Sequence, residues 1–373
     1  MSRGKHFHPA SSDPIDTFAE ALRQMGLVLE GAPIMDGRIH RVPVEGDKRG
    51  QKSGAYVGHL DGLPAGYIKN HRTGEHRTWK ASQRLEHLSH ADWARLRAET
   101  LAQRAARERE WQNIHEVTTR LVGHHLEGLP LAPDDHPYLV RKRVPSFGVL
   151  LDIVGTLEIR ADQEEPQKWS AKGNLIVPIC TIDGTLLSAQ TIAEDGWKVF
   201  PRGARCQGGM HQIGDFDGRS PLVVVEGYAT GATIHQQTAL PVAVAFFAGN
   251  LEAVARAVRT AFPEAHLLIA GDNDHQKARE MQADGSPKPN VGKEAALKAA
   301  DAVGGHALLP NFAPDDRGSD WNDLLLSKGK EEFAAQWASQ VDIAERHCEV
   351  NKIVAERKNT QPDGAGQILA RSR

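Results

Sequence analysis

Three acidic side chains follow two apolar segments that have the composition of buried strands. Glu226 comes directly after "LVVV", and Asp272 and Asp274 come after "LLIA" and one glycine. Ligands of open parallel sheets bind beyond the carboxyl ends of the strands, so we expect all three carboxylates at one edge. Bare carboxylates at short range repel one another, and a divalent cation offsets that repulsion. Because all the ligands are oxygen atoms, the sequence predicts an Mg²⁺ or Mn²⁺ site that contacts phosphate.

A further acidic group lies in "SDWNDLLL", at the start of an apolar turn. Asp320 could cap a helix there, and Asp323 could reach the other acids. Structural alternatives exist for the rest: Glu226 as an acid favoured by a helix dipole, Asp272 and Asp274 as turn formers. Their combination at one sheet edge favours a site. We predict Glu226, Asp272 and Asp274 as catalytic residues and metal ligands, with Asp320 and Asp323 as additional metal ligands.

The segments around these acids predict a mixed α/β fold. From Pro221 to "HALLP", apolar strands alternate with helical segments, which predicts a mostly parallel sheet with helices on both faces. Between Leu175 and Ile213, period-two alternation and Asp-Gly turns predict a small antiparallel meander. Before it we predict a long charged helix, from Ser82 to about Leu126, and then, nearest the N-terminus, one helix with a small antiparallel sheet.

These patterns divide the 373 residues into five predicted parts. They are an N-terminal α+β module (1–82), a charged helical linker (83–130), a basic subdomain of the catalytic core (131–218), the catalytic α/β domain (219–340) and a flexible C-terminal tail (341–373). The formal net charge of −3 does not by itself indicate a nucleic-acid partner. The charge is uneven, however, because the first third of the chain has a basic excess.

Basic side chains before and within the catalytic segment are candidates for binding phosphates of nucleic acid or nucleotides. They are Arg141, Lys142, Arg143, Lys198, Arg202, Arg205 and Lys293. Phosphate contacts would make binding strongly salt-dependent, whereas the alternative is a solvated run of charges. Trp79 lies between basic residues in "RTGEHRTWK", where it could stack on a base or belong to the core of the N-terminal module.

Several functional classes lack their sequence signals. None of the three cysteines lies in a C-x-x-C pair, so no zinc ribbon is predicted. No segment has the P-loop spacing of an ATPase or helicase motor. The first residues have no apolar core of signal-peptide length, and the longest apolar run, "LPVAVAFFAGNL", is too short to cross a membrane. We therefore expect a cytoplasmic protein without a membrane partner.

The strands with their acids resemble the Toprim domain, the metal-dependent catalytic fold of bacterial primases and of type IA and II topoisomerases. Its pattern is a Glu after one strand and Asp-x-Asp after a later strand, which here are Glu226, Asp272 and Asp274. The segments "HPYLVRKRV", "NLIVPICTIDGTLLSAQTI" and "SDWNDLLL" are similar to Toprim primases of plasmids and phages, especially the TraC-type primases of conjugative plasmids. With the N-terminal "DGLPAGYIKNHRTGEHRTWKAS", the resemblance extends from about Asp16 to Gly329.

The resemblance implies a DNA primase that makes short RNA primers on single-stranded DNA by metal-dependent nucleotidyl transfer. It implies Mg²⁺ (or Mn²⁺) as the cofactor, single-stranded DNA and ribonucleoside triphosphates as partners, and a separate helicase or replication protein, in plasmid or phage replication or conjugative transfer. Two other classes stay open: a Toprim nuclease with water as the nucleophile, and a non-catalytic single-stranded-DNA-binding protein. One departure from the topoisomerase pattern is His275, which follows Asp-x-Asp where a further acid is common.

Overall fold

The computed structural model describes residues 13–60, 64–81, 90–160, 166–281 and 286–359. Contacts divide the chain into two compact units, Met1–Asn113 with Glu280–Lys288 and Ile114–Arg279 with Pro289–Arg373. The helices are α1 (Pro14–Gln24), α2 (His90–Leu126), α3 (Pro137–Lys142), α4 (Tyr228–Thr238), α5 (Leu251–Ala261), α6 (Val291–Val303) and α7 (Trp321–Asn359). Within the described ranges, no helix has the length and apolar character that a membrane span requires.

The strands belong to four sheets. In chain order they are β1 (His40–Val42), β2 (Gly54–His59), β3 (Ala65–Asn70), β4 (His76–Lys80), β5 (Leu150–Leu151), β6 (Leu157–Ile159), β7 (Gln167–Trp169), β8 (Leu175–Cys180), β9 (Leu186–Ile192), β10 (Lys198–Val199), β11 (His211–Ile213), β12 (Leu222–Val225), β13 (Val242–Val244), β14 (Leu267–Ala270) and β15 (His306–Leu308). β6 and β7 form a two-stranded sheet of their own, and the other three sheets have four or five strands.

The first unit contains the predicted helix and antiparallel sheet, with strand order β1-β2-β3-β4. Phe18 of α1 is fully buried and packs with Ile68 and Trp79 in one apolar cluster. Gly66 leaves room for this helix, because a Cβ there would lie 2.4 Å from the Phe18 ring. Of the two alternatives for Trp79, the core position is the one observed, because the residue is 8% exposed and belongs to the apolar cluster with Phe18.

The predicted parallel sheet in the second unit is confirmed. Its strand order is β11-β13-β12-β14-β15, and its four main strands run parallel. Alternate side chains of the buried strands pack to opposite sides: α5 and α6 cover one face, and α4 and α7 cover the other. The short edge strand β11 pairs antiparallel with β13 and was not predicted as part of this sheet. The sequence "HQI" is too short to carry a periodic signal.

The predicted meander is also present, as β8, β9 and β10 in a sheet of order β10-β9-β8-β5. One face of this sheet contributes Leu175, Val177 and Ile179 to the core that contains the first turn of α7. Phe200, just after β10, makes edge contacts with the rings of Phe246 and Phe247 after β13. The meander is therefore packed against the carboxyl end of the parallel sheet.

Helix α7 continues beyond the point where the sequence predicts a flexible tail. It runs through Asn359, with a break at Gly329, whose φ of 87° and ψ of 177° are not helical. The continuation past Gln340 has a physical reason: Ala344 is 2% exposed, and Val341 packs against the main core of the unit. Residues 360–373 of the predicted tail lie outside the described residues.

Candidate active site

Strand register brings the first two acidic segments to one edge of the sheet. Val225, the last residue of β12, pairs with Ala270, the last residue of β14. Glu226 and Gly271 therefore leave adjacent strands at the same level, and Asp272 follows one residue later. This is the carboxyl edge at which parallel sheets bind ligands. The sequence-based placement of the acids agrees with this register.

The Glu226 carboxylate is half-buried and accepts a backbone hydrogen bond from Ala248. The chain reaches this position through Phe246, whose φ of 71° is rare for a bulky residue and costs free energy. Burial first, and then the charge of Asp274, raise the pKa of Glu226; Lys198 acts in the opposite direction. The conformation of the loop after β13 thus supplies one hydrogen-bond donor to an otherwise crowded acid.

Asp272 is a strongly perturbed acid of the site. Its Oδ1 atom is buried and has no hydrogen-bond partner. Burial, followed by the charges of Asp320, Glu226 and Asp274, raises its pKa to about 8. A buried oxygen without a donor is costly, and three neighbouring acids increase that cost. A cation is the partner that would remove both penalties.

The turn that carries Asp272 and Asp274 is braced by the residue between them. Asn273 donates its backbone N–H to Ser319 O at 2.6 Å and its side-chain amide to Pro310 O at 2.9 Å. Its Oδ1 accepts a hydrogen bond from Asn290, the N-cap of α6, at 2.8 Å. The side chain therefore ties the acidic turn both to the chain before α7 and to the start of α6.

Two glycines allow α6 to approach this turn. A Cβ at Gly292 would lie 2.7 Å from the carbonyl oxygen of Asp272, and one at Gly271 would lie 2.3 Å from the Cβ of Ala296. Gly271 does not have a positive φ, so close helix packing, rather than a special turn conformation, explains this glycine. The acidic turn is consequently held between strand β14 and the first turns of α6.

The third acidic group is a helix cap that also belongs to the acid cluster. Asp320 Oδ1 accepts a hydrogen bond from the Asp323 N–H at 2.8 Å at the start of α7. Burial, and then the charge of Asp323, raise the pKa of Asp320, which is in turn the strongest charged neighbour of Asp272. Asp323 instead pairs with Lys142, with Nζ 3.6 Å from Oδ1, and accepts a hydrogen bond from the Ser319 N–H.

Lys198 and Lys142 are the predicted basic residues that the structure brings to the acids. Lys198 Nζ would lie 3.9 Å from a Cβ at Gly227, the N-cap of α4. Lys198 is exposed as a residue. Desolvation of its amino group by the surrounding side chains, opposed by the charge of Asp320, lowers the pKa of Lys198, and the nearby charge of Lys142 lowers it further. Both ammonium groups therefore lie within the electrostatic range of the carboxylates.

The other predicted basic residues have different positions. Arg141 donates to Glu194 O at 2.7 Å and lies over the Tyr138 ring, so it supports the β9–β10 turn. Arg143 ends α3 with a left-handed φ of 53° and is exposed, and Lys293 is exposed in the first turn of α6. Arg202 and Arg205 lie between β10 and β11, and neither is among the main charges that shift the pKa values of the acids.

Two residues near the site were not found from the sequence. Lys277 pairs with Asp274, with Nζ 3.0 Å from Oδ1. The hydroxyl of Tyr138 is buried without a hydrogen-bond partner, and burial together with the charge of Asp320 raises its pKa. "Q-K" and "P-Y" dipeptides are common in any sequence, so no local signal distinguishes these residues.

The residues present fit a divalent cation, although their side chains do not converge on one point. In the described part of the chain, no three His, Cys, Asp or Glu side chains form a group that could hold a metal as they stand. Asp274 and Asp323 are engaged by lysines, and Asp320 caps α7. The orphaned Oδ1 of Asp272 and the raised pKa values of Glu226, Asp272 and Asp320 indicate carboxylates that lack a counterion. Hard oxygen donors are what Mg²⁺ and Mn²⁺ prefer.

Comparison with known protein families agrees with this site. Residues 221–331 match the family model described as the Toprim domain. This range begins with β12 and ends within α7, and it includes Glu226, Asp272, Asp274, Asp320 and Asp323. Residues 221–331 are therefore similar to the Toprim domain, in the segment where the motifs predicted it.

Two similar proteins are DNA primases. The chain is 41% identical over 310 residues to a DNA primase TraC of Escherichia coli, covering 81% of this chain and 27% of that protein. A second E. coli DNA primase TraC is 38% identical over 310 residues, covering 81% of this chain and 20% of the relative. The resemblance to TraC-type primases is thereby confirmed. The chain spans only about a fifth to a quarter of the length of these relatives.

Among solved structures, the primase fragment of the bacteriophage T7 primase-helicase protein is similar at 14% identity and a TM-score of 0.36. The alignment covers 54% of this chain and 74% of that fragment.

Proposed function

We propose that the chain is a primase that joins ribonucleotides on a single-stranded DNA template, in plasmid or phage replication or conjugative transfer. The observation that carries this proposal is Asp272, whose Oδ1 atom is buried without a hydrogen-bond partner at the carboxyl edge of a sheet that matches the Toprim domain. Homology to proteins named DNA primase TraC, over 81% of the chain, gives the reaction class.

Glu226, Asp272 and Asp274 would hold one or more Mg²⁺ or Mn²⁺ ions, and Asp320 or Asp323 would add a ligand. The bound ions would polarise a phosphate and offset the charge that develops on it in nucleotidyl transfer. Partial burial of these acids lowers their contact with water, which strengthens the electrostatic stabilisation of this charge. Release of Asp274 from Lys277 would free one carboxylate oxygen for the ion.

Lys198, beside the start of α4, would contact the triphosphate of the incoming nucleotide. Gly227, the N-cap of α4, has no side chain that could accept a hydrogen bond from the first N–H groups of this helix. These N–H groups lie at the carboxyl edge of the sheet, directly after Glu226. Helix N-termini with such N–H groups favour phosphate. Lys142, which pairs with Asp323, would hold a second phosphate, and exposed Arg143, Arg205 and Lys293, with Arg202, would contact the template or nucleotide.

A primer-synthesis assay tests the proposal. The purified chain is incubated with single-stranded DNA, four ribonucleotides of which one is labelled, and Mg²⁺ or Mn²⁺. We expect short labelled oligomers whose composition follows the template, which are lost with Asp272→Asn and retained with Asp301→Asn on the exposed end of α6. Shortened DNA without incorporation would identify a nuclease instead. DNA binding with neither product would identify a binding protein, and a helicase partner would be sought only after synthesis is established.

A further inference from the structure

The sheet of the first unit has one covered face and one open face. Side chains alternate between the two faces along each strand, and α1 packs on the face that contains Ile68 and Trp79. The strand sequences "HRV", "GAYVGH", "AGYIKN" and "HRTWK" contain no Asp or Glu. The strand residues on the side opposite to α1 are Arg41, Ala55, Val57, His59, Ala65, Tyr67, Lys69, His76, Thr78 and Lys80. We call them the open sheet face.

An aromatic ring lies near the middle of the open sheet face. Tyr67 on β3 is paired with Val57 on β2 and with Thr78 on β4, and it is 42% exposed. Its ring centroid lies 6.0 Å from that of His76, with an angle of 32° between the planes. A single exposed aromatic ring is common on protein surfaces, so a ligand is indicated only by this ring together with the charges around it.

Positive charges surround this ring. Register aligns Arg41, Ala55, Lys69 and His76 in one row across all four strands. Three strand spacings make this row about 14 Å long. Arg41 and His76 are exposed, and Lys80 is exposed on the same face of β4. The small Ala55 between the two cations of the row leaves the surface flat.

We propose that the open sheet face binds single-stranded DNA, with a base stacked on Tyr67 and phosphates contacted by Arg41, Lys69 and Lys80. A flat sheet with an exposed aromatic ring and surrounding cations binds single strands with little sequence preference, because every base has a face that stacks. Its four strands contribute only neutral and basic side chains, which complements a polyanion. The proposal deepens the proposed function, since this strand would be the template, but the binding itself requires neither metal nor Glu226 and Asp272.

Fluorescence anisotropy of a labelled thymidine 20-mer with the full chain, in EDTA, tests the open sheet face. Loss of one stacked base predicts that Tyr67→Ala weakens binding by about 5- to 100-fold, while Tyr67→Phe keeps it. Neutralising Arg41 and Lys69 together, as glutamines, is expected to reduce the slope of log affinity against log salt by about 1.4. Arg23→Gln changes an exposed cation of α1, on the other side of the sheet, and serves as the matched control with no change.

Several results would overturn the proposal. They are equal affinity of Tyr67→Ala and wild type, equal loss in Tyr67→Ala and Tyr67→Phe, equal competition by duplex DNA, and tighter binding of a uridine 20-mer. Asp272→Asn separates this proposal from the proposed function, because we expect it to bind the 20-mer normally. If binding depends on Tyr67 but the wild type makes no primers, only the proposed primase function is rejected. Synthesis with no effect of Tyr67 would reject the open sheet face alone.

Discussion

Replacing Asp272 by Asn should stabilise the metal-free protein at alkaline pH. The folded state raises the pKa of this carboxyl from 3.8 to about 8. Between these two values the unfolded chain has lost the proton and the folded chain still holds it, so stability falls as pH rises through this window and is constant above it. The amide of Asp272→Asn has no proton to lose in this range, and the variant should therefore escape this loss.

The size of the effect follows from the shift. One pKa unit corresponds to 1.36 kcal/mol, so the penalty grows from about 2 kcal/mol at pH 5 to about 6 kcal/mol at pH 9. Entry of water and movement of the neighbouring acids will relieve part of this increase of about 4 kcal/mol. We expect Asp272→Asn to gain at least about 1 kcal/mol over wild type between the two pH values.

Urea-induced unfolding in EDTA at pH 5, 7 and 9 measures this difference. Asp301→Asn, an exposed acid on α6, should follow the wild type at every pH. Adding Mg²⁺ should raise the free energy of unfolding of the wild type and leave that of Asp272→Asn unchanged. The advantage of Asp272→Asn over the wild type in EDTA should therefore become smaller. If the stabilities of wild type and Asp272→Asn stay parallel from pH 5 to 9, the carboxyl does not have a raised pKa and the reasoning fails.

Three other changes test the surroundings of this carboxyl. Gly292→Ala would place a Cβ 2.7 Å from the Asp272 carbonyl oxygen, so calorimetric titration should show Mg²⁺ affinity reduced about tenfold or more through a displaced turn; unchanged affinity would contradict the packing argument. Asn273→Ala removes two side-chain contacts and should cost about 1–3 kcal/mol in urea unfolding, while a cost near zero would show that the turn is held otherwise. Lys198→Ala removes a charge that lowers the pKa values of Glu226 and Asp272, so the pH of half-maximal Mg²⁺ binding should increase. Lys198→Arg keeps the charge and should not change this pH. A decrease in Lys198→Ala would show that Lys198 does not lower these pKa values.

Much of the fold could be predicted because buried strands and amphipathic helices have strong periodic signals. The parallel sheet, its helices and the common edge of Glu226 and Asp272 follow from apolar strands that each end in an acid. Short pieces were missed: β5 and β11 have two and three residues, which is too few for a period-two alternation to repeat. The helical continuation after Gln340 was also missed, because it depends on contacts of Ala344 with a distant core.

The acidic residues of the site could be predicted, but the hydrogen bonds and packing contacts that hold them in place could not. Asn273 has the composition of a turn former, yet its side chain joins Pro310 and Asn290, which are distant in sequence. The sequence suggests a turn role for Gly271, but the structure requires glycine there because α6 packs too closely to leave room for a Cβ. Such roles depend on which segments meet in space, and a single sequence carries no signal for these contacts.

The central claim is that the Toprim acids together bind a divalent ion, and binding of Mn²⁺ followed by electron paramagnetic resonance tests it directly. Free Mn²⁺ gives a strong signal that decreases when the ion is bound. We predict that wild type and Asp301→Asn take up Mn²⁺, with weaker uptake as pH falls below the pKa of Asp272 of about 8, and that Asp272→Asn and Glu226→Gln lose it. Equal uptake by wild type and both site variants would contradict the account.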